Sequence, residues 1–365
     1  MKQTLIYLPG LNGLRAIAAM SVVIAHVSQK GIADFGLSYL FDLPMAGYGV
    51  TLFFVISGFL ITYLLLQEAW NKQTIDINKF YARRILRIWP IYYLFILASI
   101  LTFILLHKTT EVFVKELWLY TFFAANVPFI FQNGILILVH YWSIGVEEQF
   151  YLFWPWVVRF SKNELLKTAI ALFLLLFAIK IGLWLCLGPN SYLYRFLMVT
   201  RFHCMMIGAI GAILFFQNKF SIISLFSNKF IQLFSWILFV SMGFNIIQIP
   251  APIGQEIISF ASLSMIMGQV TIKDRLFNLE NRLCDFIGKI SYGIYIVHPL
   301  IILLLSKFYR NLEMDMDLKY ILVYISVVGA TVFMAWLSYS YFEKPFLKLK
   351  AKFAIVESSN SMFNS

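Results

Sequence analysis

The sequence predicts an all-α polytopic membrane protein, with about ten transmembrane helices and a re-entrant or interfacial segment near 117–131. Three observations predict it. Of the 365 residues 61% are hydrophobic and only 13% charged, whereas soluble domains carry roughly 25% charged residues. Mean hydropathy is +0.79. The basic residues are also spread unevenly between alternate loops.

A bilayer core asks for about 20 apolar residues per helix. Stretches of that kind lie at 10–29, 47–67, 88–106, 142–160, 167–187, 196–216, 230–249, 255–271, 287–306 and 320–341. The stretch 117–131 is apolar but short, and it carries Asn126 and Pro128, so it is expected to enter without crossing. With the N-terminus inside and 117–131 not crossing, 20 of the 29 Lys and Arg residues fall in inside segments and 7 outside; Lys180 and Arg201 lie within spans. Cytoplasmic loops attract such an excess. Both termini are therefore expected in the cytoplasm, and the +11 net charge reads as a topology signal. A nucleic-acid role would need a soluble basic face, which the sequence does not display. Residues 1–353 read as one membrane-embedded domain, and 354–365 as a polar, disordered cytoplasmic tail. Cys186, Cys204 and Cys284 are scattered without metal or disulfide spacing, so no metal site is expected. Only Lys2 is basic before the first apolar run, which predicts that the first span is retained.

An ionisable residue inside a span is expensive and marks a functional candidate. Arg15 and His26 stand eleven positions apart in the first span. That spacing is about three helical turns plus 20° and about 16 Å of rise, so both face one way. An arginine holding an anion at the cytoplasmic mouth and a buried imidazole acting as base fit this pattern. A snorkelling arginine and a helix-end histidine fit it too. Arg83, Arg84 and Arg87 form a basic face at the start of the third span, suited to phosphate or to simple anchoring. In HYWSIGVEEQFYLFWP (140–155), Trp142, the adjacent acids Glu147 and Glu148, and the face Ser143, Glu147, Tyr151 form a polar group. Buried carboxylates of this kind orient partners or exchange protons; inter-helix bonding is the alternative. Ser291, Tyr295 and His298 make a polar stripe that ends at Pro299, which frees the Tyr295 carbonyl; a helix-packing stripe closed by hydrogen bonds is the alternative. Gly49, Ser57 and Gly58 read as close-packing residues. Arg201 needs an acidic partner, with Glu147 or Glu148 expected to supply it.

In order, the segments LPGLNGLRAIAAMSVVIAH, GVTLFFVISGFLI, FYARRILRIWPIYYL, YWSIGVEEQFYLFWP, TRFHCMMIGAIGA, ISYGIYIVHPL and YFEKPF run through residues 8–346. The ordered set resembles the acyltransferase-3 family of integral membrane acyltransferases over nearly the whole chain, about residues 4–345. The resemblance implies transfer of an acyl group, usually acetyl, from cytoplasmic acyl-CoA to a hydroxyl of a cell-surface or exported carbohydrate. It implies a bacterial cytoplasmic membrane, acyl-CoA as donor substrate and no permanently bound cofactor. Arg15 and His26 match the family's arginine–histidine motif, Arg84 and Arg87 its paired arginines, and Glu147 its tryptophan–serine–glutamate motif. The catalytic set is thus His26, Arg15 and Glu147. The residues expected to bind substrate or acyl-CoA are Arg83, Arg84, Arg87, Trp142, Ser143, Glu148, Tyr151, Arg201, Ser291, Tyr295 and His298. His26 is expected to deprotonate the acceptor or carry the acyl group. Some relatives carry a fused extracytoplasmic domain that is not visible here, which implies direct handover or a separate extracytoplasmic transferase partner. A polytopic transporter using the same polar interior, or a non-catalytic glycan- or lipid-binding scaffold, are the other readings.

Overall fold

The computed structural model describes residues 4–37, 43–105, 111–161, 164–353 and 356–359. A short strand β1 (Thr4–Tyr7) leads into fifteen α-helices: α1 Leu11–Phe35, α2 Met45–Lys72, α3 Ile77–Leu105, α4 Glu111–Thr121, α5 Asn126–Ile130, α6 Tyr141–Ser161, α7 Leu165–Leu187, α8 Tyr192–Thr200, α9 Phe202–Phe216, α10 Phe220–Phe226, α11 Lys229–Gly243, α12 Ala251–Val270, α13 Arg282–Arg310, α14 Met316–Leu337 and, after a π-helical turn at Ser338–Glu343, α15 Lys344–Ala351. Asn281 and Asp315 cap α13 and α14 by accepting from the backbone N–H groups of Cys284 and Leu318, as short oxygen-bearing side chains do at helix starts. Within the tail expected to be disordered, Val356–Ser359 forms β2 and pairs in parallel with β1.

Nine of the ten expected spans lie in a helix or a helix pair to within a residue, 230–249 runs six residues past the end of α11, and 117–131 is divided between α4 and α5. Among the described residues, seven spans are long and apolar enough to cross a membrane, or eight if α10 and α11, bent by 46°, count as one. The helices α6 and α12 are 21 and 20 residues long but carry polar side chains such as Glu147, Glu148, Gln255, Glu256 and Gln269. Their polar faces meet protein rather than lipid, which hydropathy alone does not register.

The core is built from α1, α2, α9, α12 and α13, with α6 against them. In α7 only 6% of the apolar window is buried, against 72% in α2, so α7 lies at the periphery. Close approach rests on glycine. A Cβ on Gly58 would fall against the Met205 carbonyl, and one on Gly208 against that of Val55, which locks α2 onto α9. These are the small-residue contacts by which membrane helices associate.

The same contacts bring the basic segments to one face. Asn12 donates to Asp285 at 2.8 Å, so α1 and α13 start side by side. Arg83 reaches Glu68 and the Phe353 carbonyl. Tyr81 donates to the Leu152 carbonyl, and Gln232 to that of Asp274. The segments around 10–15, 68–87, 152–156, 274–289 and 350–353 therefore share one end of the bundle, as the charge count anticipates.

Candidate functional site

Two cavities lie along α1. The inner one, about 90 Å³, opens among the basic segments and is lined by Arg15, Ser57, Arg84, Arg87, Glu147 and Tyr151, with Ser143 and Tyr295 deeper in. Successive turns of α3 place Arg84 and Arg87 on the same side of that helix. Arg84 lies over the rings of Phe80 and Tyr151, 5.7 and 5.8 Å from their centroids, and its Nε is buried without a hydrogen-bond partner. Among the described residues none of Arg15, Arg84 and Arg87 forms an ion pair. The acid that lines the same cavity is Glu147, whose carboxylate accepts from the hydroxyls of Ser57 and Tyr151. The cavity wall thus carries three guanidiniums and one carboxylate, with Glu148 and Glu343 close behind Arg84 and Arg87, an excess of positive charge that favours an added anion.

Arg83 does something else. It donates to Glu68 at 2.7 Å, with both side chains buried, and to the Phe353 carbonyl at 3.0 Å. One position along a helix is about 100° of rotation, enough to turn it from the cavity to the α2–α3 connection. Glu148 likewise points away: one oxygen accepts from Trp89 Nε1 at 3.1 Å, and the other is buried and unsatisfied. Ser291 donates to the Gly288 carbonyl of its own helix.

The outer cavity is larger, about 350 Å³, and is bordered by His26, Gln29, His140, Trp142 and Arg201. Phe129 stacks on Trp142 with centroids 5.1 Å apart, and the Arg201 guanidinium sits 5.2 Å over the same indole. The expected pairing of Arg201 with Glu147 or Glu148 does not form. Arg201 donates instead to the Gly47 carbonyl at 2.8 Å, to Thr51 Oγ1 at 3.0 Å and to the Met198 carbonyl at 3.1 Å. It stands at the break between α8 and α9 with φ 45°, a left-handed conformation that is strained for a side-chain-bearing residue. Strain of that kind persists where the surroundings hold it, often at functional sites.

Val50 and Tyr295 line both cavities and form the partition between them. The Tyr295 hydroxyl lies 2.6 Å from Ser143 Oγ and donates to the His140 carbonyl at 3.0 Å, which pins the ring in place. Arg15 and Glu147 are on the inner side of this partition and His26 on the outer, so the three residues expected to act together are divided by it. Three turns of α1 supply the separation. His26 Nδ1 is 2.7 Å from Nε2 of His298, whose ring is fully buried. His298 therefore meets His26 through Nε2.

The sequence reading missed three residues here. Ser57, read as packing, reaches Glu147. His140 lies in a quoted motif but gave no signal of its own. Lys350 of α15 is near enough to Arg15, Arg84 and Arg87 to feel their charge. A separate buried cluster joins Lys180 of α7, Glu256 of α12 and His203 of α9 and anchors the peripheral α7. Among the described residues no group of His, Cys, Asp and Glu is arranged to hold a metal ion.

Comparison with known proteins gives a consistent result. A family described as an acyltransferase domain matches residues 8–340. O-acetyltransferase OatA of Staphylococcus aureus strain MRSA252 is 31% identical over 98% of the chain and 60% of its own length. A putative O-acetyltransferase of strain COL is 29% identical over 94% of the chain and 58% of its own length. The chain thus spans about 60% of the length of the curated relatives it matches. No solved structure matches.

Proposed function

Because this chain belongs to the acyltransferase-3 family of membrane acyltransferases, we propose that it moves an acetyl group from acetyl-CoA, bound at the arginine-lined face, to a carbohydrate hydroxyl at the outer cavity. The observation that carries this reading is the arrangement of Arg15, Arg84 and Arg87 without ion pairs on one side of a partition that has His26 on the other.

The CoA phosphates pair with Arg84 and Arg87 at the mouth and with Arg15 further in, through charge-assisted bonds. The pantetheine arm follows the inner cavity, which at about 90 Å³ must widen to admit it, and leaves the nucleotide at the face. The thioester passes Val50 and Tyr295 to reach His26. The acceptor hydroxyl attacks the thioester carbonyl carbon while His26 takes its proton. The carbon–sulfur bond then breaks, the acetyl group stays on the acceptor oxygen, and the thiolate takes the proton from His26 and leaves as CoA. The basic face is the cytoplasmic one on the 20-to-7 count, and the membrane is the bacterial cytoplasmic membrane.

Mass spectrometry of surface glycans from cells with and without the protein tests this. An acetyl ester that disappears with the protein, and with the His26→Gln variant, supports it. Unchanged glycan acetylation, together with solute flux through purified protein that needs no acyl-CoA, would establish the transporter reading instead.

A further inference from the structure

His298 falls in sequence among the candidates for binding substrate or acyl-CoA, yet both nitrogens of its buried ring are engaged with protein. Nδ1 lies 3.2 Å from the Ile294 carbonyl oxygen. A carbonyl has no proton to give, so Nδ1 carries the hydrogen. Nε2 faces His26 Nδ1 at 2.7 Å. The His298 ring is 0% exposed, and an unpaired charge buried in an apolar bundle is prohibitively expensive, so this ring is neutral. A neutral ring protonated at Nδ1 has its lone pair at Nε2, and His26 must donate its own Nδ1–H into that lone pair. His26 then holds its lone pair on Nε2. The two rings lie nearly parallel, 21° apart with centroids at 5.0 Å, and His140 packs edge-on against His298 at 5.3 Å. The backbone of α13 thus fixes His298, and His298 fixes His26.

We propose that His298 is a positioning residue that holds His26 in the Nδ1–H tautomer, so that Nε2 is the nitrogen that takes the acceptor proton. This rests on the acetyl-transfer reading above. It does not place His298 in contact with substrate. When His26 becomes an imidazolium, its Nδ1–H still points into the His298 lone pair, so the charged form keeps its partner during the reaction.

The test compares His298→Leu, His298→Gln and His26→Gln in full-length purified protein, measuring turnover of radiolabelled acetyl-CoA and its KM. The leucine removes the acceptor for Nδ1–H, whereas glutamine puts an amide oxygen near the place of Nε2. A misoriented base forfeits most of the 10²–10⁴-fold that general base catalysis contributes, so kcat of His298→Leu is expected to fall roughly 100-fold or more, with KM for acetyl-CoA unchanged. His298→Gln should recover part of kcat. Wild-type turnover by His298→Leu, with His26→Gln inactive, would overturn the positioning role alone. So would equal inactivity of both His298 variants with a raised KM, because that reports packing. Wild-type turnover by His26→Gln would instead overturn the acetyl-transfer chemistry on which the inference rests.

Discussion

Arg83 and Arg84 are adjacent in sequence but engaged in different work, and replacing each by alanine should give opposite phenotypes. Arg84 has no ion pair among the described residues, and its Nε is buried without a partner. Removing it takes away one charge-assisted phosphate contact, worth about 1.5–3 kcal/mol, which is roughly 10- to 150-fold in CoA affinity. The unliganded protein should keep its stability better than with Arg83 removed, because no buried carboxylate loses a salt-bridge partner when Arg84 is replaced. Arg83 is paired with Glu68 at 2.7 Å, where the carboxylate is 2% exposed. Breaking a buried pair from one side is destabilising by about 3–5 kcal/mol. The lower end applies, since Glu68 keeps the Asp76 backbone N–H at 2.8 Å. The assay is CoA binding by calorimetry, alongside thermal unfolding, on detergent-solubilised protein. Arg84→Ala should lose affinity and keep its melting temperature; Arg83→Ala should lose melting temperature and, while folded, bind CoA normally. The reverse pattern would show that the donor phosphates are read by Arg83 and that the cavity is misassigned.

Further outcomes follow from the same geometry. His26→Ala should abolish acetyl transfer while leaving CoA binding intact, because His26 lies beyond the partition from the arginines; binding lost together with transfer would place it in the donor site. With Cys186 and Cys284 replaced, single cysteines at Lys350 and Glu313 should label from opposite sides of the membrane, Lys350 from the cytoplasm; labelling of both from one side would mean a different number of crossings. Gly58→Ala puts a methyl group against a backbone carbonyl of α9 that cannot rotate aside, so a loss of about 1–3 kcal/mol is expected from overpacking, and an unchanged melting curve would contradict the α2–α9 contact.

Local pattern carried the helices and several faces of the site. Arg15 and His26 lie one above the other on α1 because helical periodicity puts them there, and Arg84 and Arg87 share a cavity wall for the same reason. The charge count brought the basic loops together before any packing was known. Partners across helices were not legible. Glu68 lies fifteen positions before Arg83, and no motif links them. The pairing of His26 with His298 depends on α1 and α13 starting at the same face and running in parallel, a tertiary fact that neither helix encodes alone. Arg201 was assigned an acid because a membrane arginine needs compensation, but carbonyls, a hydroxyl and an indole face supply it instead. The break at Arg201 gave no glycine or proline signal, since side-chain contacts hold the left-handed turn. Hydropathy also undercounts α6 and α12, whose polar residues point inward.

Purified protein reconstituted in liposomes with Lys350 facing outward permits a direct trial of transfer across the bilayer. Radiolabelled acetyl-CoA is supplied outside, and cell-envelope polysaccharide from a strain lacking the protein is enclosed inside. The label should appear as an ester on the enclosed polysaccharide with wild-type protein and be absent with His26→Gln. Label that remains in the thioester with wild-type protein, or that reaches the polysaccharide at the wild-type rate with His26→Gln, would contradict His26-dependent acetyl transfer through the two cavities.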